Sequence, residues 1–310
     1  MKTALLFAGQ ATQVVGMGRD LYDRFPEARA VFQAADEALG EPLSRLCFEG
    51  PAEALDLTAN TQPAVLTVAC AAWAVLQACG FAPTVVAGHS LGEYGALVAA
   101  GALAFEDAVR LCRRRGEYMQ AAVPPGAGAM AAIQRADDAA IEAACAAVEG
   151  VCTPAVFNAP KLTVISGDTA AVEAASARLA EQGALVIPLK VSAPFHCERL
   201  APAAERLAAD LAAVPVAPLR LPYVANVDGA WHGDSAPEAI RQRLVAQVVG
   251  AVRWRQTLAL MIERGIERFW HLGPGRANLT HVKRQARRAP METTGTAQGM
   301  DAILAEISGS

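Results

Sequence analysis

Thr84-Val85-Val86-Ala87-Gly88-His89-Ser90-Leu91-Gly92-Glu93-Tyr94 is the stretch on which the fold turns. Residues 84–87 read as a short buried strand, and 93–100 carry a helical pattern; between them lies Gly88-His89-Ser90-Leu91-Gly92. That is the strand–turn–helix setting in which a Gly-x-Ser-x-Gly forms a nucleophile elbow. The glycines allow the tight turn, which lifts the Ser90 hydroxyl out of the sheet and sets it at a helix N-terminus, where the dipole favours developing negative charge. The alternative is a serine that only caps the helix.

Outward from the elbow, residues 3–8 read as a buried strand, 9–13 as a polar loop, and 18–38 and 63–79 as helices. Strands alternating with helices predict a mainly parallel sheet covered on both faces. From residue 126 the order changes to strand 129–133, helix 136–149, strands 153–158 and 161–167, helix 169–182 and strand 184–190. This β-α-β-β-α-β succession is that of a ferredoxin-like unit. Pro124-Pro125-Gly126 and Ser192-Ala193-Pro194 bracket it as hinges. The expected architecture is a large α/β-hydrolase-like catalytic domain, residues 1–125 and 193–310, interrupted by a ferredoxin-like insert, residues 126–192. A cleft between two such bodies is a usual substrate site. Residues 289–310, with Met300, Ile303, Leu304 and Ile307 at helical spacing, are expected to end in a short docking helix.

The 310 residues are 53% hydrophobic and 19% charged, with a net charge of -4, enough for about two domains and a sizeable core. A disordered tail protein and a disulfide-stapled mini-domain are excluded. No run reaches the roughly 18 consecutive apolar residues of a membrane span, and the start lacks the pattern of a signal peptide. No membrane partner and a cytoplasmic location are therefore expected. The seven cysteines include no C-x-x-C pair, so neither a disulfide framework nor a metal is expected. An acidic chain lacks the basic face that nucleic acid requires, and a monomer is the default.

A serine nucleophile needs a base, and there are five histidines. His89 neighbours Ser90, but in an elbow its side chain turns away. His232, in a polar turn, and His281, in a basic helix, read as surface residues, and His271 as a core or loop residue. His196 stands in Val191-Ser192-Ala193-Pro194-Phe195-His196, where the chain leaves the insert and faces the cleft, and is the preferred base. Arg115 falls in the middle of an apolar helical stripe formed by Ala108, Leu111, Cys112, Tyr118 and Met119. Buried without a partner, its guanidinium would cost several kcal/mol, so a protein carboxylate or a bound anion must neutralise it, unless the head snorkels to water. A bidentate clamp on a substrate carboxylate is the functional reading.

Gly9-Gln10-x-x-Gln13, Gly88-His89-Ser90-Leu91-Gly92-Glu93-Tyr94, Arg115-Gly116, Val191-Ser192-Ala193-Pro194-Phe195-His196-Cys197, Asn226-Val227-Asp228 and Gly273-Pro274-Gly275 resemble, in order and spacing, malonyl-CoA:acyl carrier protein transacylases. That group includes the stand-alone acyltransferases that serve polyketide synthases in trans. The resemblance implies that Ser90 is acylated, His196 is its base, and the backbone N–H groups of Gln10 and Leu91 form the oxyanion hole. It implies that Arg115 holds the malonyl carboxylate and that a backbone carbonyl at Gln247 orients His196, giving a Ser-His dyad. Phe195 before the base resembles the polyketide pattern associated with malonyl over methylmalonyl; a core aromatic is the alternative.

The implied reaction moves a malonyl group from malonyl-CoA to the phosphopantetheine thiol of an acyl carrier protein, in fatty-acid or, as the favoured reading, polyketide biosynthesis, with no resident cofactor. Carrier proteins are acidic, so Lys283, Arg284, Arg287 and Arg288, on one helical segment, form the candidate docking patch. Ala8, Ala11 and Thr12 depart from the family's usual Pro and Gly-Gln-Gly-Ser-Gln, which bears on the loop carrying the Gln10 amide. An editing hydrolase with the same dyad and a malonyl-loading subunit of a malonate decarboxylase remain as alternatives.

Overall fold

The computed structural model describes residues 1–308, so Gly309 and Ser310 of the expected large domain and tail lie outside the described residues. Two sheets organise the chain. The first has the order β10-β9-β1-β2-β7-β8, from β1 (Thr3–Phe7), β2 (Val85–Gly88), β7 (Tyr223–Val224), β8 (Trp231–His232), β9 (Arg268–Leu272) and β10 (Met291–Thr293). Its strands run parallel except β8, which pairs antiparallel with β7. The central strand β1 is buried along its whole length, and β2 likewise, because helices cover both faces of such a sheet.

The second sheet is antiparallel, of order β4-β5-β3-β6, from β3 (Gly128–Gln134), β4 (Cys152–Ala159), β5 (Leu162–Asp168) and β6 (Leu185–Pro188). Helices Asp138–Ala146 and Thr169–Glu181 complete the β-α-β-β-α-β order read from the sequence. One face of this sheet buries Ile133, Ile165, Val172 and Leu179 with those helices. The other places Met130, Ala132, Val156 and Val164 in a core shared with Ala4, Leu6, Val85 and Ala87 of the first sheet. Backbone bonds from Phe157 N to Val252 O and from Val252 N to Ala155 O, each 2.9 Å, pin β4 to the body of the protein.

Register brings the site together. Phe7 lies opposite Gly88 on one side and Leu272 on the other, so the loops after β1, β2 and β9 leave the sheet at one edge. The carboxyl ends of parallel strands are where α/β folds bind ligands.

Several expectations need correction. The helical pattern over 18–38 is two helices, Arg19–Arg24 and Pro26–Leu39, since Pro26 forces the preceding Phe25 into an extended backbone. The helix expected from Pro63 begins at Thr58 and carries Pro63 inside it. Pro63 lacks an N–H, and the Ala59 carbonyl accepts instead from Arg113 Nη1 at 2.9 Å. This helix, Thr58–Ala78, is long and apolar enough to cross a membrane, yet most of it is buried inside the protein. The basic segment is also shorter than expected: helix Ala277–Gln285 carries Lys283 and Arg284, while Arg287 and Arg288 follow it where the chain turns toward β10. Finally, helix Ala297–Ser308 is no free docking element, for its Met300 and Ile303 are fully buried in the main core.

Candidate active site

The elbow is built by sterics. A Cβ on Gly88 would lie 1.8 Å from the Gly92 carbonyl oxygen, and one on Gly92 would lie 2.6 Å from those of Phe7 and Ala8. Only glycine lets the turn after β2 pass so close to the end of β1. Ser90 itself sits at φ 53°, a left-handed backbone, with helix Gly92–Ala99 beginning two residues later. Asn226, fully buried beyond β7, braces this turn: its Oδ1 accepts from Ser90 N at 2.7 Å and its Nδ2 donates to Gly88 O at 2.7 Å.

Ser90 Oγ lies 2.8 Å from His196 Nε2. The opposite ring nitrogen of His196, Nδ1, is 2.8 Å from the main-chain oxygen of Gln247. That carbonyl can only accept, which puts the proton on Nδ1 and leaves Nε2 free to accept from the serine hydroxyl. Burial, and after it the Arg115 guanidinium, push the imidazole down to about 3 against the pull of the Gln247 carbonyl. His196 is thus a neutral base facing a hydroxyl.

Arg115 projects from helix Phe105–Ala122 with only 2% of its surface exposed. Its Nη1 donates to Gln62 Oε1 at 2.5 Å, and its Nη2 to Gln247 Oε1 at 2.8 Å and to Ser90 Oγ at 3.2 Å. No carboxylate pairs directly with it among the described residues. The two glutamine oxygens hold the guanidinium in place and leave its charge unneutralised, which is the state of a clamp waiting for an anion.

The loop after β1 closes the cleft. Thr12 Oγ1 donates to Gly9 O at 2.8 Å, and Gln10 Oε1 accepts from Thr58 Oγ1 at 2.7 Å. Ala11 takes φ 70° with its side chain exposed, so its methyl group fits where the family's usual glycine would stand. The backbone N–H groups of Gln10 and Leu91 have no acceptor among the described residues. Gln10, Ser90, Arg115, Phe195 and His196 line a cleft of about 700 Å³, walled on its far side by Met130, Val156 and Val164 of the second sheet.

The remaining histidines stand apart from the Ser90 hydroxyl. His89 turns away, its Nε2 2.9 Å from Asn158 Oδ1 at the end of β4. His271 is buried, with Nε2 3.1 Å from Pro274 O. His232 lies on β8 against Asp228 at 3.0 Å. His281 differs from the expected surface residue: its ring centre lies 6.2 Å from that of His89, half-buried where helix Ala277–Gln285 packs on β4. Lys283, Arg284 and Arg287 are exposed and line a shallow basic depression with Pro160 and Thr280; Arg288 is exposed outside it. Among the described residues no cluster of His, Cys, Asp or Glu could hold a metal ion.

Sequence reasoning missed the residues that hold these groups: Gln62, Glu93, Asn226 and the side chain of Gln247. The Asn226-Val227-Asp228 motif offered a signal without a role. Gln62 gave no such signal, for it stood outside the helix expected from Pro63 and lies inside the one that forms.

The acyl transferase domain family matches residues 4–298. The chain is 45% identical over 285 residues to the malonyl CoA-acyl carrier protein transacylase of Escherichia coli K12, covering 91% of this chain and 92% of that one. It is 44% identical over 291 residues to the protein of the same name from Bacillus subtilis strain 168, covering 93% and 91%. Among solved structures, a malonyl-transacylase in complex with a type II PKS acyl-carrier protein superposes with a TM-score of 0.95 at 38% identity, covering 99% of this chain and 100% of that one. Matched over more than nine-tenths of its length by such relatives, the chain belongs to the acyl transferase domain family and, within it, to the malonyl CoA-acyl carrier protein transacylases.

Proposed function

We propose that the chain transfers a malonyl group from malonyl-CoA to the phosphopantetheine thiol of an acyl carrier protein, through an ester on Ser90. The observation that carries this reading is the buried guanidinium of Arg115 beside the Ser90 hydroxyl at 3.2 Å, bonded to neutral oxygens alone. An acyl group ending in a carboxylate supplies the missing charge; an acetyl group leaves it unmet.

In the first half-reaction His196 Nε2 takes the Ser90 proton as Oγ attacks the thioester carbonyl. The tetrahedral oxyanion is met by the N–H groups of Gln10 and Leu91 at the start of helix Gly92–Ala99. Collapse breaks the C–S bond, His196 returns its proton to the CoA sulfur, and the malonyl group stays on Ser90. In the second half-reaction the carrier thiol gives its proton to His196, attacks the ester, and Ser90 leaves with that proton. Gln247 serves through its main-chain oxygen, which keeps the imidazole tautomer fixed throughout. No resident cofactor enters either half.

Residues 126–192 act as a separate wall of the cleft and the remainder as the catalytic body, and the working unit is taken as a monomer. Phe195, half-buried in the cleft beside His196, fills the space an α-methyl group needs, which supports malonyl over methylmalonyl. The polyketide assignment rests on that residue and on the PKS carrier bound to the malonyl-transacylase of similar structure. The exposed patch of Lys283, Arg284, Arg287 and Arg288 offers an acidic carrier its complement.

The test is intact mass spectrometry after brief incubation with malonyl-CoA or acetyl-CoA, followed by a phosphopantetheinylated carrier. A malonyl adduct on Ser90 that persists without acceptor and then moves to the carrier is expected. Decay of the adduct to free acid would establish the editing hydrolase instead. Charge reversal at Arg284 and Arg287 should slow the second step and leave the first intact, and Phe195→Ser should admit methylmalonyl.

A further inference from the structure

We propose that Glu93 is a positioning residue for the acyl carboxylate: it accepts the side-chain N–H of Gln247 and turns that amide's oxygen onto Arg115. The inference rests on the reading of Ser90 and Arg115 given above.

Glu93 follows the elbow in the first turn of helix Gly92–Ala99 and is 1% exposed. A carboxyl group so buried must meet hydrogen-bond partners, and no cation pairs directly with it among the described residues. Its Oε2 accepts from Gln247 Nε2 at 2.6 Å and from the Asn226 backbone N–H at 3.3 Å, while its Oε1 has no partner. Gln247, also fully buried, spends its amide in two directions: Nε2 donates to Glu93 and to Ser90 O at 2.9 Å, and Oε1 accepts from Arg115 Nη2 at 2.8 Å.

The polarity of this relay has one sense. Glu93 Oε2 accepts two N–H groups and so takes the NH₂ end of the amide, leaving the other end to present its oxygen to Arg115. Without Glu93 the amide keeps only the Ser90 carbonyl as acceptor for Nε2, and its oxygen is held less firmly against the guanidinium.

The distance matters as much as the sense. A carboxylate bonded directly to Arg115 would neutralise it and compete with an incoming malonyl group. Through Gln247 the Glu93 carboxyl group supports Arg115 by an oriented amide dipole, while the face of Arg115 toward Ser90 stays free of a competitor. The same carboxylate also reaches Asn226, which braces the Ser90 backbone, so the clamp and the elbow share one anchor.

Single-turnover loading of Ser90 from malonyl-CoA and from acetyl-CoA, followed by intact mass in the full-length protein, tests the assignment. Glu93→Ala and Gln247→Met should each lower the malonyl-to-acetyl rate ratio at least tenfold; the latter keeps the main-chain oxygen that His196 uses. Glu93→Gln should stay within about threefold of the parent ratio, because its amide oxygen still accepts from Gln247 and its NH₂ falls where Oε1 has no partner. A parent-like ratio in Glu93→Ala would overturn the role, whether or not both rates fall together. Should Glu93→Ala fail to fold, the same outcome in Gln247→Met would overturn it. If the parent protein takes no malonyl group from CoA, the proposed function fails and the assignment with it; a selective parent with an insensitive Glu93→Ala removes only the assignment.

Discussion

Ser90 Oγ and His196 Nε2 meet at 2.8 Å, and both residues hold a left-handed backbone, at φ 53° and 61°. Neither is glycine, so each conformation costs on the order of 1 kcal/mol. The bonds that hold them come from elsewhere: Asn226 Oδ1 to the Ser90 N–H, and the Gln247 carbonyl to His196 Nδ1. The reactive contact is set by strained backbone on both sides, pinned by two residues beyond β7.

The depressed basicity of His196 fixes how loading should respond to acid. With the imidazole pushed down to about 3, its base-competent neutral form persists far below the usual histidine range. Single-turnover acylation of Ser90 should therefore change less than twofold between pH 6.5 and 4.5 and decline only nearer pH 3. A midpoint close to 6.5 would mean that the imidazole titrates as if free.

Arg115 should separate substrates. Replacing it with Leu removes the buried charge along with the clamp, and loading from malonyl-CoA should fall at least a hundredfold, about 3 kcal/mol or more. Acetyl loading should fall less than tenfold. Arg115→Lys should lie between, since one ammonium cannot reproduce the forked bonds to Gln62, Gln247 and Ser90. Parallel kinetics with the two acyl-CoAs decide the matter, and equal losses would contradict the clamp.

Asn226→Ala strips the brace from the elbow and leaves the Ser90 N–H and the Gly88 carbonyl without their partner. Loss of a buried donor and acceptor pair costs about 1–3 kcal/mol, so urea denaturation should show a lower midpoint at an unchanged m-value, equivalent to a loss of that size. Loading should slow for malonyl and acetyl alike, because the displaced group is the nucleophile common to both. Asn226→Asp should do no better, keeping the acceptor for Ser90 while losing the donor to Gly88 and adding a negative charge beside Glu93.

Acid should destabilise the fold early. Burial lowers the pKa of His89, His196, His271 and His281, the last three to about 3, 4 and 3 respectively. Below pH 6.5 the unfolded chain binds protons at these rings that the folded chain refuses, so their contribution is complete above 6.5 and is lost as pH falls toward 3–4. For the buried His196 and His271 the loss is on the order of 1.4 kcal/mol per pH unit each. Glu93, pushed up to about 8 by burial, works in the opposite sense between 4.5 and 8 and offsets about one of these rings. Scanning calorimetry should record a falling Tm from pH 6.5 to 4.5, and a flat profile would refute the buried neutral imidazoles.

What could be read along the chain was whatever short-range physics enforces. The run 84–94 declares its turn because glycines at 88 and 92 have no competitor where backbone crosses backbone. The β-α-β-β-α-β order of 126–192 shows through alternation and periodicity, and Arg115 through its place in one helical stripe. Strands of two or three residues, Tyr223–Val224, Trp231–His232 and Met291–Thr293, carry too little pattern to be seen.

The hydrogen-bonded frame of the site was equally invisible, for a different reason. Gln247 meets Glu93 across 154 positions, and Asn226 meets Ser90 across 136. Nothing local distinguishes these side chains from any other glutamine or asparagine. The sequence alone determined which residues could do chemistry, since nucleophile, base and clamp are properties of residue type and neighbouring turn. The tertiary structure alone decided their protonation, orientation and charge balance, because burial and long-range hydrogen bonds exist only once the parallel sheet has brought its loops to a single edge.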